Sequence, residues 1–373
     1  MILKNLSLVN FKNYEEAELS LNDNVNCFIG NNGQGKTNLL DAIYYLAFCK
    51  SFFNPVDSQN IKIDQDFFVI QGTFEKKGKE SKVFCGIKKG QKKQFKRNKK
   101  EYEKLADHIG EIPLVMVSPS DSQLISEGSE VRRRFMDGVI AQFDHLYLDR
   151  LLNYQRALTQ RNSLLKSFYE NRFFDADALQ IWDEKLQELG APIHETRESF
   201  LQEFIPCFQR FYSLISGDRE SINLEYSTGM KDHSLLELLQ LSLDKDRQMR
   251  YTTQGIHKED LTFTLADRPL KKMGSQGQQK TYLVALKLAQ FEFIRQKKGT
   301  MPLLLLDDIF DKLDANRVEA LVKLVSGNDF GQIFITDTEL GRMEPILKRI
   351  GKPFQLLQVE KGQIKDYERE KSI

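Results

Sequence analysis

GNNGQGKT occupies residues 30–37, between a strand-like pentapeptide, VNCFI (25–29), and a stretch where Leu39, Leu40, Ile43, Leu46 and Ala47 recur at helical spacing. The octapeptide fits GxxxxGK[ST], and a strand before it with a helix after it is the context that pattern requires. Its glycines let the backbone N–H groups along Gly30, Asn31, Asn32, Gly33, Gln34 and Gly35 turn inward around phosphate oxygens. The start of the following helix adds a dipole that favours an anion. Lys36 supplies a point charge for the β- and γ-phosphates, and the Thr37 hydroxyl is a ligand for Mg2+. The plainer reading is a Gly-rich turn with a chance Lys-Thr, and the correct flanks on both sides weigh against it. This loop predicts a nucleoside triphosphate site in an α/β protein.

Working outward, LLLLDD (303–308) is an apolar strand with no polar alternation, as expected of a parallel sheet covered on both faces. Asp307 at its end is placed to hold Mg2+, and Asp308 to orient or deprotonate an attacking water. DKLD (311–314) follows, with Asp314 placed to cap the next helix. Upstream, MGSQGQQKTY (273–282) runs into LVALKLAQFEFI, a helix opened by more small and amide residues than an N-cap needs.

Composition bounds the rest. The chain has 373 residues and a net charge of +1, so bulk charge announces no polyanionic partner. Cys27, Cys49, Cys85 and Cys207 are scattered, which argues against a zinc site or a disulfide framework. No apolar run is long enough to span a membrane, and MILKNLSLVNF alternates like a strand rather than a signal peptide; a cytoplasmic protein is expected. Strands are expected at 2–9, 17–21 and 25–29, a β-rich region at 67–118, and helices from 130 to about 215, interrupted near 170–177 and at Pro192 and Pro206. Strand patterns return at 222–226, 261–265, 302–306 and 332–336, with a closing hairpin at 354–367. No heptad run supports a long coiled coil.

Taken together, GxxxxGKT, the SQGQQ-led helix, LLLLDD and DKLD stand in the order of ATP-binding-cassette ATPases. The resemblance implies that Ser275, Gln276, Gly277 and Gln278 form a signature motif. Such a motif contacts the γ-phosphate held by the phosphate loop of a second subunit. LSLVNFKNYEEAELSL before the loop, SPSDSQLISEGSEVRRRFMD (118–137), QGIHKEDL (254–261) and SQGQQKTYLVALKLAQ with LLLLDDIFDKLD resemble the RecF family of bacterial recombination mediators. That resemblance runs from Ile2 to about Thr336.

It implies a two-lobed head of P-loop, ABC-ATPase type: an ATPase lobe from 1–125 and 221–373, with a helical lobe inserted at 126–220. It further implies an ATP-dependent homodimer, weak DNA-stimulated ATP hydrolysis, and binding to duplex, gapped or junction DNA. A RecR-like mediator and a recombinase would be the partners, in DNA repair and replication restart. Two other readings stay open: an ATPase driving a nuclease or remodelling complex, and a transporter's nucleotide-binding subunit. Asp308 stands where the wider class has Glu, and Thr336-Asp337-Thr338 where it has a switch His; both departures predict slow turnover. Gln71, in VIQGTF, is the candidate for the Q-loop.

Charge is uneven. Residues 76–104 hold 13 Lys/Arg and three acids, a net of +10, so the rest of the chain totals −9. With Phe95 and Tyr102 interleaved, this predicts a surface tracking a DNA backbone, against the alternative of Lys-rich hairpins kept soluble. Arg132-Arg133-Arg134 could reach nucleotide or DNA, or be a solvated face. His257 is expected to be packed rather than catalytic, and Trp182 to pack between helices.

Overall fold

The computed structural model describes residues 1–217, 220–310, 315–327 and 329–367; the DKLD segment at 311–314 lies outside them. The chain divides into two compact units. The first is Met1–Asp121, Leu214–Gly217 and Lys280–Ile373; the second is Ser122–Ser213 and Asp218–Gln279.

Two six-stranded sheets build the first unit. One is antiparallel, in the order β2-β1-β4-β5-β6-β7, from β1 (Ile2–Phe11), β2 (Tyr14–Ser20), β4 (Phe67–Lys76), β5 (Lys79–Lys88), β6 (Gln94–Arg97) and β7 (Lys100–Glu101). The other has the order β15-β14-β3-β13-β12-β8 and is parallel except for β15. Its strands are β3 (Val25–Ile29), β8 (Leu114–Val117), β12 (Leu303–Asp307), β13 (Ile333–Asp337), β14 (Phe354–Glu360) and β15 (Gln363–Asp366). All five residues of β3, β12 and β13 are buried, polar Asn26, Asp307, Thr336 and Asp337 included, as in a parallel sheet covered on both faces. One core cluster joins Leu6, Ile70 and Cys85 of the antiparallel sheet, Phe28, Leu305 and Phe334 of the parallel sheet, and Leu39, Ile43 and Leu46 of α1 (Lys36–Phe48). Helices α9 (Gln276–Lys298, within this unit from Lys280 on), α10 (Ala315–Ser326) and α11 (Leu340–Ile350) complete it.

The second unit holds α2 (Gln123–Ser126), α3 (Ser129–Ile140), α4 (His145–Asn171) and α5 (Ala176–Ser216, its last turn in the first unit). A three-stranded antiparallel sheet follows, of β9 (Ile222–Ser227), β10 (Asp260–Leu265) and β11 (Arg268–Pro269). Helices α6 (Leu235–Leu241), α7 (Leu243–Met249) and α8 (Leu270–Met273) complete this unit. The expected lobe boundary at 220 is thereby corrected: β9 and β10 pair with each other and with β11, so the second unit extends to Gln279.

Helix α5 also corrects the expected breaks, since it continues through both Pro192 and Pro206. A proline removes one backbone donor. Here Leu186, Leu189, Ile193, Phe200, Phe204 and Phe208 keep one buried stripe across both positions, which offsets that loss. Two buried ion clusters tie this unit together. Arg161 of α4 donates to Asp183 (2.5 Å) and Asp246 (2.6 Å). Arg197 donates to Glu259 (2.6 Å) and Asp137 (2.8 Å).

Candidate nucleotide site

The phosphate loop leaves the buried end of β3 and enters α1 at Lys36. Gly35 stands at the helix N-cap with φ +116, and a Cβ there would lie 2.4 Å from Asn13 Nδ2 and 2.9 Å from the Tyr14 hydroxyl. Only glycine fits such a position, on conformational and on steric grounds. The crowding comes from a brace that the sequence did not announce. Asn13 Nδ2 donates to the Gln34 carbonyl (2.9 Å), Tyr14 donates to the Gly35 carbonyl (3.0 Å), and the Lys361 amide donates to Gln34 Oε1 (2.6 Å). The β1–β2 turn and the β14–β15 turn thus hold the loop from behind. Asn38 joins them by donating to Asn13 Oδ1 at 2.7 Å.

One cavity of about 150 Å³ is lined by Asn32, Gly33, Gly35, Lys36, Thr37, Asn38, Asp307, Asp308 and Thr336. That space suits a terminal phosphate and a cation rather than a whole nucleotide. Lys36 is buried, and two of its three N–H bonds go to the carbonyls of Gly30 (2.6 Å) and Asn31 (2.9 Å). Burial pushes its ammonium below the ordinary 10.5, with Asp308, Asp307 and Asp337 pulling the other way. The Thr37 hydroxyl donates to Asp307 Oδ1 at 2.9 Å, and the Thr336 hydroxyl donates to the same oxygen at 2.8 Å. Burial raises the Asp307 carboxyl, while the hydroxyls of Thr336 and Thr37 lower it. Thr37 Oγ1 and Asp307 Oδ1 form a hard-oxygen pair that fits Mg2+, a cation that takes one or two protein ligands and completes its shell with phosphate and water.

Asp308 follows directly, yet it lines the same cavity as Asp307. Successive side chains of a strand point to opposite faces. The chain leaves strand geometry here: Asp308 has φ +50, and its N–H donates to Thr336 Oγ1 at 3.0 Å.

Ser275, Gln276, Gly277 and Gln278 belong to the second unit and open α9. Gln278 N–H donates to Ser275 Oγ (3.2 Å) and Ser275 N–H donates to Gln278 Oε1 (2.7 Å), a reciprocal capping box. Gln278 Nε2 also donates to Glu220 at 2.5 Å. Ser275 and Gln276 are exposed.

Several expectations need correction. Gln71 lies in the middle of β4, paired with Ser7 and Phe84, so it forms no loop. Phe95 is buried in the core and so is not interleaved with lysines at the surface, while Tyr102, half-buried, packs against Phe95 and His108. Most exposed lysines of 76–104 fall at the ends of the antiparallel sheet. Lys77, Lys79, Lys99 and Lys100 gather at the β4–β5 and β6–β7 turns, with Lys88, Lys89 and Lys92 at the β5–β6 turn. Arg132 grips Asp260 through Nε (2.8 Å) and Nη2 (2.9 Å), and Arg133 donates to the Glu259 carbonyl (2.6 Å). Only Arg134 of the triplet is an exposed ion pair, with Glu130. His257, by contrast, is packed as expected: Nε2 donates to the Thr252 carbonyl (3.1 Å), Tyr154 donates to Nδ1 (3.0 Å), and burial lowers its pKa to about 4. Among the described residues no helix is long and apolar enough to cross a membrane.

Comparison with known proteins agrees with this geometry. The sequence profile of the RecF/RecN/SMC N-terminal domain family matches residues 2–362. The DNA replication and repair protein RecF of Phocaeicola vulgatus is 56% identical over 366 residues, 98% of each chain. A solved structure of the recombination mediator protein RecF with ATP, described as part of the RecFOR pathway, superposes with a TM-score of 0.89 at 31% identity, covering 98% of each chain. The Smc head domain of Pyrococcus furiosus shares the fold alone, at a TM-score of 0.57 and 15% identity over 98% of this chain and 95% of that one. The chain belongs to the RecF/RecN/SMC N-terminal domain family, in its RecF branch, and has the fold of an ABC-type ATPase head.

Proposed function

We propose that the protein is an ATP-gated, DNA-binding dimer of recombinational DNA repair, a cytoplasmic clamp that helps load a recombinase at single-strand gaps with a RecR-like mediator. The observation that carries this reading is the convergence of Lys36, Thr37, Asp307 and Asp308 on one cavity beneath a braced phosphate loop. Lys36 and the loop N–H groups bind the triphosphate. Thr37 and Asp307 would hold Mg2+, which would supply neutralising charge to the bound triphosphate. Asp308 orients the attacking water and accepts its proton. Its short side chain sets a slow turnover, which suffices for a switch whose output is the bound conformation.

Ser275, Gln276, Gly277 and Gln278 complete the site of a second copy. In support, Ser275 and Gln276 are exposed at the start of a helix of 23 residues, where N–H groups and dipole favour an anion. The capping box would open as the Ser275 hydroxyl turns to the γ-phosphate. Lysines at the hairpin turns of the antiparallel sheet supply a backbone-reading surface for duplex or gapped DNA. No base-reading motif accompanies them, so recognition is of shape and charge.

The test is oligomeric state by light scattering. ATP should convert wild-type monomer to dimer, ADP should not, and Ser275→Arg should remain monomeric while binding ATP through its own intact phosphate loop. An ATP-dependent dimer in Ser275→Arg would remove these residues from the composite site.

A further inference from the structure

Thr336 joins the two carboxylates of the site, in the stretch that stands where the wider class has its switch His. This threonine is the penultimate residue of the buried strand β13, where parallel pairing sets it directly opposite Asp307. Its side chain is fully buried from bulk solvent, yet it lines the cavity. A hydroxyl is one donor and two acceptor lone pairs, and Thr336 uses both kinds. It donates to Asp307 Oδ1 at 2.8 Å and accepts the Asp308 N–H at 3.0 Å. The same N–H reaches the Thr336 carbonyl at 3.3 Å.

Two consequences follow from this one oxygen. Asp307 Oδ1 is fixed between the hydroxyls of Thr37 and Thr336, which orients the carboxylate for a cation. The Asp308 N–H is fixed as the chain turns to φ +50, a left-handed conformation that an aspartate adopts only where its surroundings hold it. Without that turn, residues 307 and 308 would follow strand alternation and face opposite sides of the sheet. We infer that Thr336 is the positioning residue that gives two adjacent aspartates separate roles, Asp307 toward the metal and Asp308 toward the attacking water. This inference rests on the ATPase reading above.

Thr336→Val keeps the shape, the β-branching and the strand preference but removes both hydrogen bonds; Thr336→Ser keeps the hydroxyl. The full-length protein would be titrated with fluorescent ATP in EDTA and in excess Mg2+, and steady-state hydrolysis measured alongside. In EDTA, Thr336→Val should bind ATP within about twofold of wild type, because Lys36 and the loop are untouched. Mg2+ should tighten its binding at least fivefold less than in wild type. Its kcat should fall at least tenfold and its KM for ATP in excess Mg2+ should rise in step with the lost Mg2+ tightening, and Thr336→Ser should recover both to within about threefold of wild type. Wild-type kcat and Mg2+ response in Thr336→Val would overturn the inference while leaving the ATPase reading intact. Equal loss in Thr336→Ser would also overturn it, since packing rather than the hydroxyl would then matter. Wild-type protein that neither binds nor hydrolyses ATP would remove the reading beneath it.

Discussion

Lys36→Met should weaken ATP binding about 100-fold, or roughly 2.8 kcal/mol, and abolish ATP-dependent dimerisation. The size follows from the loss of charge-assisted hydrogen bonds to two phosphates in a partly dehydrated cavity. The effect on the unliganded protein has the opposite sign. Lys36 is buried, and burial holds its pKa below 10.5, so the unfolded chain keeps that proton more firmly than the folded one. A group of this kind subtracts from stability below its folded pKa, and the deficit shrinks as pH rises from that lowered value to 10.5. Methionine fills a similar volume without charge. Lys36→Met should therefore melt at the same temperature as wild type or higher at neutral pH, and should lack the wild-type gain on the alkaline side. Calorimetric melting from neutral pH to 10.5, beside isothermal titration with ATP, separates a lost ligand site from a lost fold. A lower melting temperature with weaker binding would mean that the Lys36 bonds to Gly30 and Asn31 maintain the loop itself.

Asp308→Asn should separate binding from turnover. The amide cannot accept a proton from water, so hydrolysis should fall between about 100- and 10,000-fold, the range typical for loss of a general base. The Asp308 backbone supplies the bond to Thr336, and the variant keeps it; Asn also tolerates a left-handed conformation. ATP affinity should remain within a few-fold of wild type, and the dimer formed with ATP should persist for as long as ATP is not consumed. Single-turnover phosphate release beside light scattering makes the comparison. Wild-type turnover in Asp308→Asn would assign the base to another group.

The parts of this site that could be read from sequence are those where one local constraint decides the structure. VNCFI occupies β3 at its expected bounds because a strand covered on both faces buries every position, and the Gly-rich loop ends it sharply. LLLLDD placed Asp307 at a strand end for the same reason. The missing parts depend on pairings between distant segments. Nothing local marks Asn13 or Lys361 as braces of the loop, because only the meeting of two turns behind Gln34 makes them so. The register that sets Thr336 against Asp307 is likewise a property of two strands 29 residues apart in that pair of side chains. Phe95 was misplaced because a Lys-rich neighbourhood says nothing about which face of a short strand is buried; β6 alternates, and Phe95 takes the inner side. Pro192 and Pro206 read as breaks because proline's local cost is plain, whereas the long buried stripe that outweighs it is legible only once α5 is seen whole. Strand signals at 222–226 and 261–265 were correct as strands, but sequence order alone could not say that they pair with each other and extend the second unit.

The central claim is that ATP gates DNA binding, and titration of the protein onto gapped duplex DNA tests it most directly. The titration is run with ATP, with ADP and without nucleotide, each at two salt concentrations. The account predicts tight binding with ATP alone, weakening steeply with salt by about 0.9 in log affinity per log salt for each phosphate neutralised. Equal affinity in all three nucleotide states, or a flat dependence on salt, would contradict it.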